Sequence, residues 1–157
     1  MKRYIFHSLE AGPKAIARLL RVFPTDRIDE RLEANRFTAR EVIAHLADIE
    51  EVHLGRLRSA TNCDGYVAEK LDVDARITEH NYNSKNIYHE AEVFESRREM
   101  TLDFLRELTD EQLHRTFKAP SGEDVDLLTY AMSMVSHDMY HLEQLTQYLA
   151  NEAAVAH

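Results

Sequence analysis

A chain of 157 residues, 44% hydrophobic and 30% charged, fits one globular domain spanning 1–157 with room for a sizeable core. Its net charge of −9 argues against nucleic acid as the main partner, because phosphate binding needs a basic surface. A single cysteine, Cys63, excludes an intramolecular disulfide and fits a reducing, cytoplasmic setting; the first residues turn polar too soon for a signal peptide, and no apolar run approaches membrane-spanning length.

Four glycines and three prolines favour long helices over many turns. The first amphipathic segment covers about 8–23, with Leu9, Ile16, Leu19, Leu20 and Phe23 at helical spacing. Gly12-Pro13 sits inside it, so the regular helix either begins at Pro13 or is kinked there. Pro24-Thr25-Asp26 ends it. A second helix starts at Thr38, where Thr38-Ala39-Arg40-Glu41 matches a capping box. Val42, Ile43, Leu46, Ile49 and Leu57 mark its buried face. A long connection, about 63–85, follows, with room for a short helix. The third helix spans about 86–108 and carries Ile87, Ala91, Phe94, Leu102, Leu105 and Leu108. Thr109-Asp110-Glu111-Gln112 opens a short helical turn, and Pro120-Ser121-Gly122 breaks the chain. The fourth helix spans about 126–151. Four such helices predict an all-α four-helix bundle, and the long crossover between helices two and three lets those two run the same way.

The chemistry concentrates on two helices. His137 and His141 are four residues apart on the fourth, on one face and about 6 Å apart along the axis, within reach of one metal ion. They flank the apolar stripe of Leu128, Ala131, Val135, Leu142, Leu145 and Leu149, together with Tyr130 and Tyr148. His45 sits beside the apolar face of the second helix, in line with Ile49 and Val52, and could supply a third ligand. Three imidazoles with free positions define an open metal site. The other reading makes each a half-buried hydrogen-bonding residue, and for a His pair at this spacing the two stand near level.

Asp138 falls in the middle of the apolar stripe, so it needs a partner. A metal-bound imidazole would serve, and so would a nearby Tyr, Arg or helix terminus. His137-Asp138-Met139-Tyr140-His141 is similar to the H-E-x-x-H metalloprotease pattern, but Asp is too short for the Glu role, which argues against a protease. His53 lies about 12 Å along the helix from His45 and cannot share its ion; it reads as a core or pocket residue. Asp48 is a candidate extra ligand one turn from His45. His7, His80, His89, His114 and His157 have no partner at useful spacing. No phosphate-cradling loop and no G-x-S-x-G are present, so no bound nucleotide is expected.

These segments resemble the DinB/YfiT-like (damage-inducible) family. Its members pair an "aHLaD.E" segment on helix two with "H-x-x-x-H-x-x-Q" on helix four. Here they read Ala44-His45-Leu46-Ala47-Asp48-Ile49-Glu50 and His137-Asp138-Met139-Tyr140-His141-Leu142-Glu143-Gln144. Tyr82-Asn83 fits a pair that often precedes helix three. Phe37-Thr38 stands where the family usually has Trp-Ser or Trp-Thr, and Tyr140 where a further histidine is often found. The resemblance implies an up-down-down-up bundle and a divalent metal, commonly nickel, zinc or iron, held by His45, His137 and His141. Relatives include S-transferases and isomerases that use low-molecular-weight thiols, and metal-dependent hydrolases.

Two functional classes follow. In the first, a metal on three neutral histidines lowers the pKa of a water or thiol, and the chain is a hydrolase or thiol-transferase acting on a small molecule. Tyr130, Tyr148, His53 and Asp138 are then candidates for proton transfer or orientation. In the second, the chain is a non-catalytic metal-binding or structural bundle that could pair as a homodimer. A polar-walled cavity opening onto the histidines separates the first from the second.

Overall fold

The computed structural model describes residues 1–155, with side chains through Ala150; His157 lies outside the described residues. Among the described residues six α-helices are formed: α1 (Lys2–Val22), α2 (Ala39–Asn62), α3 (Val73–Glu79), α4 (Ile87–Glu107), α5 (Asp110–Leu113) and α6 (Leu127–Val155). A small hairpin, β1 (Thr116–Lys118) and β2 (Asp124–Asp126), precedes α6.

The helix starts follow from local chemistry. The Thr38 hydroxyl accepts from the Glu41 N–H at 3.1 Å, and the Glu41 carboxylate accepts from the Thr38 N–H at 3.4 Å. That reciprocal pair satisfies two donors that the first turn of α2 would otherwise leave open. Asn86 caps α4 by accepting from the N–H groups of Tyr88 and His89, and Asp126 accepts from Thr129 N–H at 2.7 Å where α6 begins.

Register contacts fix the topology. Arg40 donates to the Lys85 carbonyl, Arg97 to the Ala47 carbonyl, and Arg98 to Glu50. Numbers rise together along both elements, so α2 and α4 are parallel. One end of the core packs Ile16, Leu20 and Phe23 with Val42, Ile43, Leu46, Phe94, Leu145 and Tyr148. The other packs Ile5 and Leu9 with Leu57, Leu102, Leu105, Ala131 and Met134. Hence α1 is antiparallel to α2 and α4 and parallel to α6, the up-down-down-up bundle. Among the described residues no helix is long and apolar enough to cross a membrane.

A buried ionic knot ties four helices together. Arg98 on α4 is 2% exposed. It donates to both oxygens of Glu50 on α2 at 2.8 Å each, to both of Asp138 on α6 at 2.6 and 3.0 Å, and to the Leu9 carbonyl on α1 at 2.9 Å. Gly12-Pro13 explains the last contact. Proline has no N–H for the carbonyl four residues earlier, which is that of Leu9, so this oxygen is free for the guanidinium. A Cβ at Gly12 would lie 2.5 Å from an Asp138 oxygen, so the glycine leaves room for the carboxylate.

Two elements differ from the sequence-based expectation. Helix α1 begins at Lys2 rather than near Ser8 and continues through Pro13, whose ring is buried in the core. The hairpin was not expected: β1 and β2 pair antiparallel with Phe117 opposite Val125. The crossover joins it, since Ala68 N–H donates to the Lys118 carbonyl at 2.9 Å.

Candidate metal centre and its cavity

His45 on α2 and His137 and His141 on α6 converge. The Nε2 atoms of His45 and His137 are 3.1 Å apart, and those of His137 and His141 are 3.2 Å apart. Nitrogens each about 2.1 Å from one ion, at tetrahedral or octahedral angles, lie roughly 3.0–3.4 Å from each other. Two of the three pairs therefore have the spacing that a shared divalent ion would impose, and all three ligand atoms lie within 4.8 Å of one another.

Hydrogen bonding supports the same tautomers. His141 Nδ1–H donates to Gln144 Oε1 at 3.0 Å, which leaves its Nε2 lone pair free. With His45 and His137 in the same tautomer, three lone pairs would face one point, which a shared cation would satisfy. His45 Nδ1 is buried and has no partner, so His45 lacks the orienting acceptor that His141 has. The edge of its ring meets Phe37 at 5.6 Å between centroids, the position at which the resemblance expects tryptophan.

Burial keeps the cluster neutral. Desolvation first, then the neighbouring imidazoles, pushes His137 down to about 2. His45 falls to about 3 through burial and the nearby His141, and burial lowers His141 as well. Neutral imidazoles are the form a metal requires.

An open cleft of about 640 Å³ leads to the three histidines. Its walls come from the loop before α2 (Phe37), the crossover (Leu71), the hairpin turn (Pro120 and Ser121) and α6 (Tyr140). Among the described residues no apolar plug covers the site.

His53 also lines this cleft, 9% exposed, with its ring 5.8 Å from that of His137. Its Nδ1 lies 2.7 Å from the Tyr130 hydroxyl, and that oxygen accepts from Arg56 at 3.2 Å. With the Tyr130 hydroxyl donating to Nδ1, the His53 proton sits on Nε2. That Nε2 is buried and unpartnered. Burial, then the charges of Arg98 and Arg56, hold His53 at about 3, and burial raises Tyr130 above its ordinary range.

The remaining candidates lie elsewhere. The Asp138 carboxylate is on Arg98, outside the cleft; burial raises its pKa, and Arg98 offsets only part of this. Tyr148 is in the core and donates to the Phe37 carbonyl. Asp48 is bound by Arg76 at 2.7 and 2.9 Å and by Tyr82 at 2.5 Å. Burial would push the Asp48 pKa up, but these bonds hold it below the usual carboxylate range. Asp48 thus anchors the crossover to α2. Of the polar residues in the recognised segments, Glu50, Asp48 and Tyr82 brace the site while the histidines form it. Arg36, Arg56 and Lys70, which line the cleft, carry no local sequence signal beyond charge.

Fold and cluster together define a helical bundle with an open three-histidine pocket between α2 and α6. The sequence profile of the DinB superfamily matches residues 8–145, and the chain belongs to that superfamily. Among solved structures it is similar to YfiT from Bacillus subtilis, described as "a probable metal-dependent hydrolase with an unusual four-helix bundle topology". The TM-score is 0.89 at 20% identity, covering 97% of this chain and 87% of that one. No curated protein matches the chain.

Proposed function

We propose that this protein is a metal-dependent enzyme acting on a small molecule, of the hydrolase or thiol S-transferase kind. The observation that carries the reading is the cleft opening onto three convergent Nε2 atoms. The description of YfiT as "a probable metal-dependent hydrolase" agrees with it. His45, His137 and His141 would hold a divalent ion such as nickel, zinc or iron. When bound, the ion supplies Lewis acidity, polarising a substrate oxygen or lowering the pKa of an oxygen or sulfur nucleophile. Gln144 fixes the His141 ring and its tautomer. His53, neutral and protonated at Nε2, offers a hydrogen bond to a group seated beside His137, and Tyr130 can restore that proton through Nδ1. Asp138 acts at a distance, holding α6 against Arg98.

The test is to load the apo protein with zinc, nickel, iron or manganese and follow turnover of activated esters, amides and thiol acceptors. Turnover should require metal and vanish in His45→Ala and His137→Ala. Equal rates with and without metal would overturn the proposal.

A further inference from the structure

The cleft wall is electrostatically at odds with the rest of the chain. Acidic residues outnumber basic ones, 28 to 19. Yet Arg36, Arg56 and Lys70 line the cleft, and no aspartate or glutamate does. Arg36 has Glu33 within 3.5 Å. Arg56 does not share that neutralisation: its guanidinium donates to the Tyr130 hydroxyl at 3.2 Å and to the Glu69 carbonyl at 2.7 Å, neither of them an anion. Lys70 is exposed, on the crossover. Glu123 lies in an adjoining recess. A half-buried guanidinium held only by neutral acceptors keeps its charge for whatever enters, and a concave low-dielectric wall focuses the field.

The arrangement also has a length. Arg56 is held at the Tyr130 hydroxyl, which lies 2.7 Å from His53 Nδ1, and the His53 ring is 5.8 Å from that of His137, so the guanidinium stands on the order of 10 Å from the histidines, as the seven-residue rise from Tyr130 to His137 on α6 also gives. We propose that this cleft takes a small molecule carrying a carboxylate or phosphate about 10 Å from its reacting centre, with the anion on Arg56 and Lys70 and the reacting end at the three histidines. The proposal rests on the metal-site reading above and names the substrate class that reading leaves open. Guanidinium supplies the paired donors, and ammonium adds charge without fixed geometry.

The probe is suberic acid monohydroxamate against its monomethyl ester, titrated calorimetrically into zinc-loaded protein. Both present the same metal-binding group on the same chain, and only one ends in an anion. The acid should bind at least about tenfold more tightly at low salt, and the advantage should shrink at high salt. Arg56→Gln should remove most of that advantage and leave the ester's affinity unchanged. Lys70→Gln, at an exposed position where folding is not at risk, should remove part of it. Equal affinity of acid and ester in the parent protein would overturn the anion preference while leaving the metal site standing. Binding of neither, with zinc retained, would overturn the open-site reading and the anion preference with it.

Discussion

Replacing Arg98 by methionine tests the ionic knot directly. Methionine keeps much of the apolar stem but loses the guanidinium over the Phe94 ring, and it strands two carboxylates, Glu50 and Asp138, in a site where both are almost fully buried. Five hydrogen bonds are lost, four of them between ionised partners. Breaking one partner out of such a group costs about 3–5 kcal/mol, because the remaining charge must be dried without compensation. For a domain of this size that is a fall in melting temperature of roughly 6–20 °C. Urea unfolding followed by circular dichroism gives the free energy. The control is Arg98→Met with Glu50→Gln and Asp138→Asn, which removes the stranded charge and should recover at least half of the loss. A loss under about 1 kcal/mol, or no recovery in the triple variant, would refute the claim that unpaired charge is what the arginine prevents.

Three further outcomes follow from the same geometry. Gly12→Ala should cost about 1–3 kcal/mol, measured by thermal unfolding, since its Cβ would sit 2.5 Å from an Asp138 oxygen; a neutral change would mean that Asp138 can leave Arg98 freely. The metal-free protein should lose stability as pH falls from 7.5 to 5.5, because the unfolded histidines take up protons near 6.5 while folded His45, His53 and His137 do so only near 3, 3 and 2. Each contributes about 1.4 kcal/mol per pH unit below 6.5, and equal urea midpoints at the two pH values would show that the folded rings accept protons. Gln144→Leu should weaken zinc affinity about 10- to 100-fold by equilibrium dialysis, and an unchanged affinity would remove Gln144 from the support of His141.

The bundle was legible because its helices are long and their apolar positions recur at the helical period, as Val42, Ile43, Leu46 and Leu57 show. His137 and His141 stood out for a related reason, since a four-residue spacing survives any uncertainty in the tertiary fold, and His45 by its place beside the apolar face of α2. Other features lacked such a signal. Gly12-Pro13 reads locally as a break, and only the Leu9 carbonyl bound by Arg98 shows why the helix passes through it. Arg98 itself reads as one charge among many on α4, since a partner 48 residues earlier and another 40 later leave no pattern. The hairpin strands have three residues each, too short for an alternating pattern, although Gly122, at φ +89°, marked their turn. Arg56 and Lys70 became site residues only once α2 and the crossover were placed around one cleft.

The three histidines belong to two rigid helices, whereas most of the cleft's rim belongs to connections: the loop carrying Phe37, the crossover at Lys70 and Leu71, and the turn at Pro120 and Ser121. Reactivity and recognition are thereby written in separable parts of the chain. Substitutions or length changes in the three connections can redraw the opening while the ligand geometry stays fixed by helix packing. For protein engineering, this makes the bundle a chassis in which a library confined to the rim positions can explore new substrates without re-solving the metal site.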